Sequence, residues 1–100
     1  MNDDCPKLRP VEAFPVEHEG QSFVALRDPA GYSSAVLMVP FTMVAIVAKF
    51  DGEHSITDIQ ADVMRMHGEL VFRHQIEALV ETLDEHGLLD SPRFAERRAA

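Results

Sequence analysis

The chain has 100 residues, enough for one small domain with a single core. Its hydrophobic share of 46% and charged share of 26% are those of a folding chain and exclude intrinsic disorder. The formal net charge of -8 gives a surface that repels nucleic acid and anionic membrane.

Met1-Asn2-Asp3-Asp4 is acidic and no apolar run follows it, which does not read as a secretory signal peptide. The single cysteine, Cys5, has no internal disulfide partner, and a cytoplasmic setting is the default expectation. Pro6 and Pro10 punctuate a stretch without period, so residues 1–10 are expected as a flexible N-terminal tail. Val11 to Val16 gives a mixed strand signal in which Pro15 suits an edge strand. Glu19-Gly20-Gln21 is a turn. Ser22 to Arg27 follows as a short strand, with Phe23 and Ala25 on one face and Val24 and Leu26 on the other. Asp28-Pro29-Ala30-Gly31 has the residues of a reverse turn. Ala35 to Val39 is a third strand, apolar throughout. The stretch from Ala35 to Phe50 is the longest apolar one, but Pro40 interrupts it well short of the roughly 18 residues needed to span a bilayer.

Three short strands with tight turns make an antiparallel meander, which needs a second layer to bury one face. Helices supply it. Pro40 suits the first turn of a helix, with Phe41, Val44, Val47 and Ala48 recurring at helical spacing and Met43, Ile46 and Phe50 widening the stripe. The pair Asp51-Gly52 is a hairpin signal by itself, but the flanking period is helical, so it reads as a helix-to-helix corner. Ser55 caps a second helix, with Asp58 completing a capping box, a stripe of Ile56, Ile59, Val63 and Met66, and a stop at Gly68. A third helix runs from Val71 to His86 on Phe72, Ile76, Leu79, Val80 and Leu83. Gly87 stops it, Leu88 and Leu89 pack back, and Ser91-Pro92 breaks regularity. Residues 91–100 are expected as a C-terminal tail or the start of a linker. The acidity is concentrated: residues 51–90 hold ten acidic side chains against Arg65 and Arg73.

The order and spacing of "LRDPAG" at Leu26 to Gly31, Pro40, "FDGEHSITDI" at Phe50 to Ile59, and "LDEHGLL" ending at Leu89 resemble the PqqD-like family, also called RiPP recognition elements. "RPVEAFPVEHEGQSFVALRDPAG" and the exit "LDSPRFAERRA" are similar to the N-terminal PqqD-like segment of Memo-like AmmeMemoRadiSam system protein B. The resemblance covers residues 11–90. It implies peptide capture: a partner segment adds as a strand to the sheet edge and lies beside the last helix. Carried over by position, the receiving edge is Ala35, Val36, Leu37, Met38 and Val39, and the flanking helix offers Phe72, Gln75, Ile76 and Leu79. The implied partners are a peptide or protein segment, a radical enzyme, or a following Memo-like domain. A bare apolar edge also allows homodimers.

Other readings have weaker support. A DNA-binding winged helix would read the groove with the last helix, whose Glu77, Glu81, Asp84 and Glu85 oppose phosphate. His67, Glu69 and His74 flank one turn, but no histidine pair has zinc-ligand spacing. No nucleophile has a nearby base, and there is no phosphate loop. The expectation is therefore a winged-helix-like α+β domain, a three-stranded antiparallel sheet followed by three helices. It should be non-enzymatic, with no cofactor and no nucleic-acid or membrane partner. An N-terminal adaptor or dimerisation role within a larger Memo-like protein stands as the alternative.

Overall fold

The computed structural model describes residues 5–99, and side chains up to Glu96. The fold is α+β: a three-stranded antiparallel sheet followed by helices. Strands β1 (Glu12–His18), β2 (Gln21–Arg27) and β3 (Val36–Pro40) lie in the order β1-β2-β3. Helices α1 (Val44–Val47), α2 (Ile56–His67), α3 (Arg73–Glu85) and α4 (Pro92–Ala99) follow.

The β1–β2 hairpin fixes the register of the whole sheet. His18 pairs with Gln21, so only Glu19 and Gly20 form the loop. Both have positive φ, 51° and 79°, as a type I′ turn requires. A two-residue loop makes its flanking pair hydrogen-bonded, and alternation then makes Val16–Phe23 and Phe14–Ala25 hydrogen-bonded pairs. Pro15, opposite Val24, falls on a non-hydrogen-bonded pair with its nitrogen directed away from β2. The same alternation turns Val24 and Leu26 toward β3, where they pair with Val39 and Leu37. Val36, Met38 and Pro40 therefore direct their backbone groups to the free edge.

Side-chain alternation separates the two faces of the sheet. Val24, Leu26, Leu37 and Val39 face the helices and join a core with Ile46, Phe50, Ile59, Ile76, Leu83 and Leu88. The outer face presents Phe14, Val36 and Met38, all exposed.

The expected first helix is shorter than its apolar stripe. Pro40 ends β3, residues Phe41–Met43 form a 3-10 turn, and only four residues are α-helical. No side chain caps this segment, and Val44, Ile46 and Val47 are β-branched, so little beyond packing favours helix. By contrast α2 starts where its cap predicts. Ser55 Oγ accepts from the Asp58 N–H at 3.1 Å, and the Asp58 carboxylate accepts from the Ser55 N–H at 3.3 Å. Gly68 ends it at φ 67°. Ile56, Ile59 and Val63 of its stripe are buried, whereas Met66, in the last turn, is exposed. Helix α3 begins two residues later than expected, with Gln75 Oε1 accepting from the Phe72 N–H at 2.9 Å.

Both ends of the chain carry more structure than their sequence suggests. Of residues 1–10, the first four lie outside the described residues. Pro6 to Arg9 are threaded between the Phe50-Asp51 corner and Leu88–Asp90. The Leu8 N–H donates to the Phe50 carbonyl at 2.8 Å and the Arg9 N–H to the Leu88 carbonyl at 2.9 Å. The Gly52 N–H reaches the Pro6 carbonyl at 3.0 Å, and a Cβ on Gly52 would lie 3.1 Å from Lys7 Cδ. Single-residue pairings of this kind leave no period to read. At the other end, where no regular element was expected, Pro92–Ala99 form a helix. Ser91-Pro92 is its start: Ser91 Oγ accepts from the Phe94 N–H at 3.3 Å, and Pro92 occupies the first turn.

Candidate functional site: an open strand edge beside α3

Among the described residues strand β3 has β2 on one side and no strand on the other. Between this edge and α3 lies a groove of about 360 Å³, lined by Leu37, Met38, Val39, Pro40 and Met43 and by His74, Gln75, Ala78, Leu79 and Thr82. The α3 positions 75, 78, 79 and 82 recur at 0, +3, +4 and +7, one face of a helix. The wall is therefore a second face of α3, beside the one that buries Ile76 and Leu83.

The chemistry of the groove is apolar. Thr82 Oγ1 donates to the Ala78 carbonyl at 3.0 Å, so its hydroxyl is already engaged. Gln75 uses Oε1 to cap α3. His74 stacks on Phe72, with ring centres 5.8 Å apart. The polar element is the strand itself: Val36 and Met38 direct N–H and C=O outward, and Pro40 adds a carbonyl. Two hydrogen-bonding residues over an apolar groove can hold one extended chain, with alternate side chains going down into the groove. The other edge is different, because Pro15 removes a donor from the middle of β1.

Of the residues assigned to the edge and helix, Leu37, Met38, Val39, Gln75 and Leu79 come together in this groove. Ala35 precedes β3, and Val36 lies on it but outside the groove lining. Phe72 stands at the N-terminal end of α3, 49% exposed, outside the lining. Ile76 has 0% exposure and belongs to the core. Pro40, Met43, His74, Ala78 and Thr82 also line the groove and are not among the residues assigned from the sequence, although Met43, like Met38, suits an adaptable surface. The helical spacing from Gln75 points to Ala78 and Thr82, while Met43 sits on a stripe that suits core and surface alike.

A second cluster gathers around Arg9, which is buried. Its guanidinium donates to both Asp28 oxygens, at 3.1 and 3.3 Å, and to the Gly87 carbonyl at 2.7 Å. Its carbon lies 3.8 Å from the Phe94 ring centre, and Tyr32 meets Phe94 edge-on at 5.4 Å. Burial pushes the Asp28 carboxyl up. The Arg9 hydrogen bond and the N–H groups of Ala30 and Ser33 outweigh that, and hold it below the usual carboxylate range. The neighbouring cavity of about 510 Å³ is larger than the groove, but its floor is this closed set of contacts. The cluster joins the lead-in, the β2–β3 turn, the end of α3 and α4.

Among the described residues no helix is long and apolar enough to cross a membrane. No group of three or more His, Cys, Asp or Glu residues among them could hold a metal ion.

The fold and groove define an α+β domain with one blunted and one open sheet edge. The chain is similar to a segment of a MEMO1 family protein of Aquifex aeolicus strain VF5, with 33% identity over 92 residues. The match takes in 92% of this chain and 23% of the relative, so the chain spans under a quarter of the curated relative's length. No family model and no solved structure matches it.

Proposed function

We propose that this domain is a non-enzymatic recognition module that takes up an extended partner segment as a fourth strand on β3, beside α3. The observation that carries the reading is the open β3 edge bordering an apolar groove of about 360 Å³. Strand addition draws affinity from main-chain hydrogen bonds and specificity from alternate side-chain pockets. Val36 and Met38 supply the first, and Leu37, Val39, Met43, Ala78 and Leu79 the second. This is the mode of PqqD-like recognition elements, which the chain resembles.

The extent of the similarity favours a particular setting. A match confined to 23% of a MEMO1 family protein suits an adaptor within a longer chain. The segment received is then part of a following Memo-like domain or of a radical enzyme that works beside it.

The clean test is Met38→Pro. The Met38 N–H faces away from β2, so proline there keeps the β2–β3 ladder and removes an outward donor. Overlapping synthetic peptides from the longer homologue are titrated into 15N-labelled protein. Amide shifts should cluster at residues 36–40 and 74–82 and vanish in Met38→Pro. Shifts elsewhere, or binding that survives the proline, overturn the reading.

A further inference from the structure

We propose that the outer face of the sheet is the seat of a second copy of this chain, packed sheet to sheet about a two-fold axis. This is independent of strand uptake, because it uses the face of the sheet and leaves the β3 edge free.

An antiparallel sheet with one wet face alternates apolar residues inward and polar residues outward. This sheet is apolar on both faces. The register sets Phe14, Ala25 and Met38 in one rank across the outer face, and Val16, Phe23 and Pro40 in the next. Val36 ends a third rank, whose other members, Glu12 and Arg27, pair with each other at 3.3 Å. Phe14, Val36, Met38 and Pro40 are exposed. A contiguous apolar patch of this kind marks an interaction surface.

Two observations choose the occupant. The first is charge. The chain carries a formal -8, whereas this face carries Glu12 and Arg27, already paired, and His18 at its far end. Two copies of an acidic chain repel each other, and a neutral apolar face is where they meet at least cost. It offers a basic partner no attraction. The second is shape. The Val16–Phe23–Pro40 rank runs on into Phe41, which is 63% exposed. Beside it lies a cavity of about 360 Å³ lined by Gln21, Ser22, Phe23, Pro40, Phe41 and Thr42. A two-fold interface needs a patch complementary to itself. A knob and a hole side by side meet that need, with each copy's Phe41 entering the other's cavity. Over the five-residue length of β3 and the width of three strands, the apolar rectangle measures roughly 14 by 17 Å. Even with Phe41 this is well below the ~800 Å² per partner of a standard interface, so the dimer is a reversible one.

Sedimentation equilibrium of the full chain, from about 10 µM to about 1 mM, tests this. The average mass should climb from that of a monomer toward that of a dimer. Added salt should strengthen the association, because it screens like charge between the copies. Phe14→Gln and Phe41→Gln change exposed side chains outside the groove and leave the net charge alone. Each should weaken the dimer about tenfold or more, while circular dichroism shows the protein still folded. A monomer at every concentration and salt overturns the second copy, whatever unlike chain the face then takes. A dimer that both variants leave intact forms elsewhere and overturns the face; loss of that dimer in Met38→Pro would place it at the β3 edge.

Discussion

Arg9 and Asp28, nineteen residues apart and both buried, meet in a two-pronged ion pair with N–O distances of 3.1 and 3.3 Å. The pair ties the N-terminal lead-in to the β2–β3 turn, and the Phe94 ring under the guanidinium extends the tie to α4. Removing one member leaves the other charge buried without its complement. Arg9→Met should cost about 3–5 kcal/mol of unfolding free energy, read from the urea midpoint. Arg9→Lys should lose less, because it keeps the charge but neither the fork nor the stacking. A midpoint unchanged in Arg9→Met would remove the clasp from any account of stability.

The same pair predicts a pH dependence. The Asp28 carboxyl is held below its usual range in the folded protein, so in acid the unfolded chain binds more protons there. Its contribution is fully present above the unfolded value, about pH 4, and is lost as pH falls through the folded value. Asp51 shifts in the same direction through its hydrogen bonds to His54 and the Glu53 N–H. Urea midpoints should be flat from neutral pH to about 5 and drop below about 4. Asp28→Asn should be less stable at neutral pH and show a shallower acid limb. Parallel acid limbs in the two proteins would assign the loss to other carboxylates.

How far this was legible in the sequence depends on the range of each interaction. Ser55, Asp58 and Gly68 act within one turn of α2, and the cap and stop were readable from the letters. The faces of β2 followed from simple alternation. The groove was half legible, because α3 uses adjacent stripes for two purposes: Ile76 points into the core while Gln75 and Leu79 line the groove. A period identifies an apolar face but not where that face passes from core to cleft. Arg9 gave no signal at all, since its acceptors, Asp28 and Gly87, stand 19 and 78 residues away. Ser91-Pro92 is equally the end of order or the cap of a helix. Packing of Phe94 on Arg9 and Tyr32 favours the second.

The first hairpin carries a removable strain. Glu19 sits at φ 51°, where an L side chain other than Asn, Asp or Gly is disfavoured. Its contact with His18 at 3.4 Å is largely exposed and stabilises little. Glu19→Asn gives the preferred Asn-Gly turn and should stabilise the domain by about 1 kcal/mol. For a domain of this size that is a rise of roughly 4–8 °C in Tm, measurable by calorimetry. A lower Tm would show that Glu19 has a contact outweighing its backbone cost.

Pro15 makes the two edges of the sheet unequal, and replacing it should make them alike. Its nitrogen faces away from β2, so Pro15→Val leaves the β1–β2 ladder intact and restores an outward N–H in the middle of a seven-residue strand. Val also has a higher strand propensity than Pro. The domain should fold at least as well, yet expose a second edge competent for pairing. Sedimentation velocity over a concentration series should then show self-association beyond that of the wild type. Met38→Pro combined with Pro15→Val should leave pairing through β1 alone and limit it to dimers. If Pro15→Val sediments like the wild type at every concentration, the proline does not guard the edge, and β1 is kept from pairing by its charged residues Glu12 and Glu17 instead.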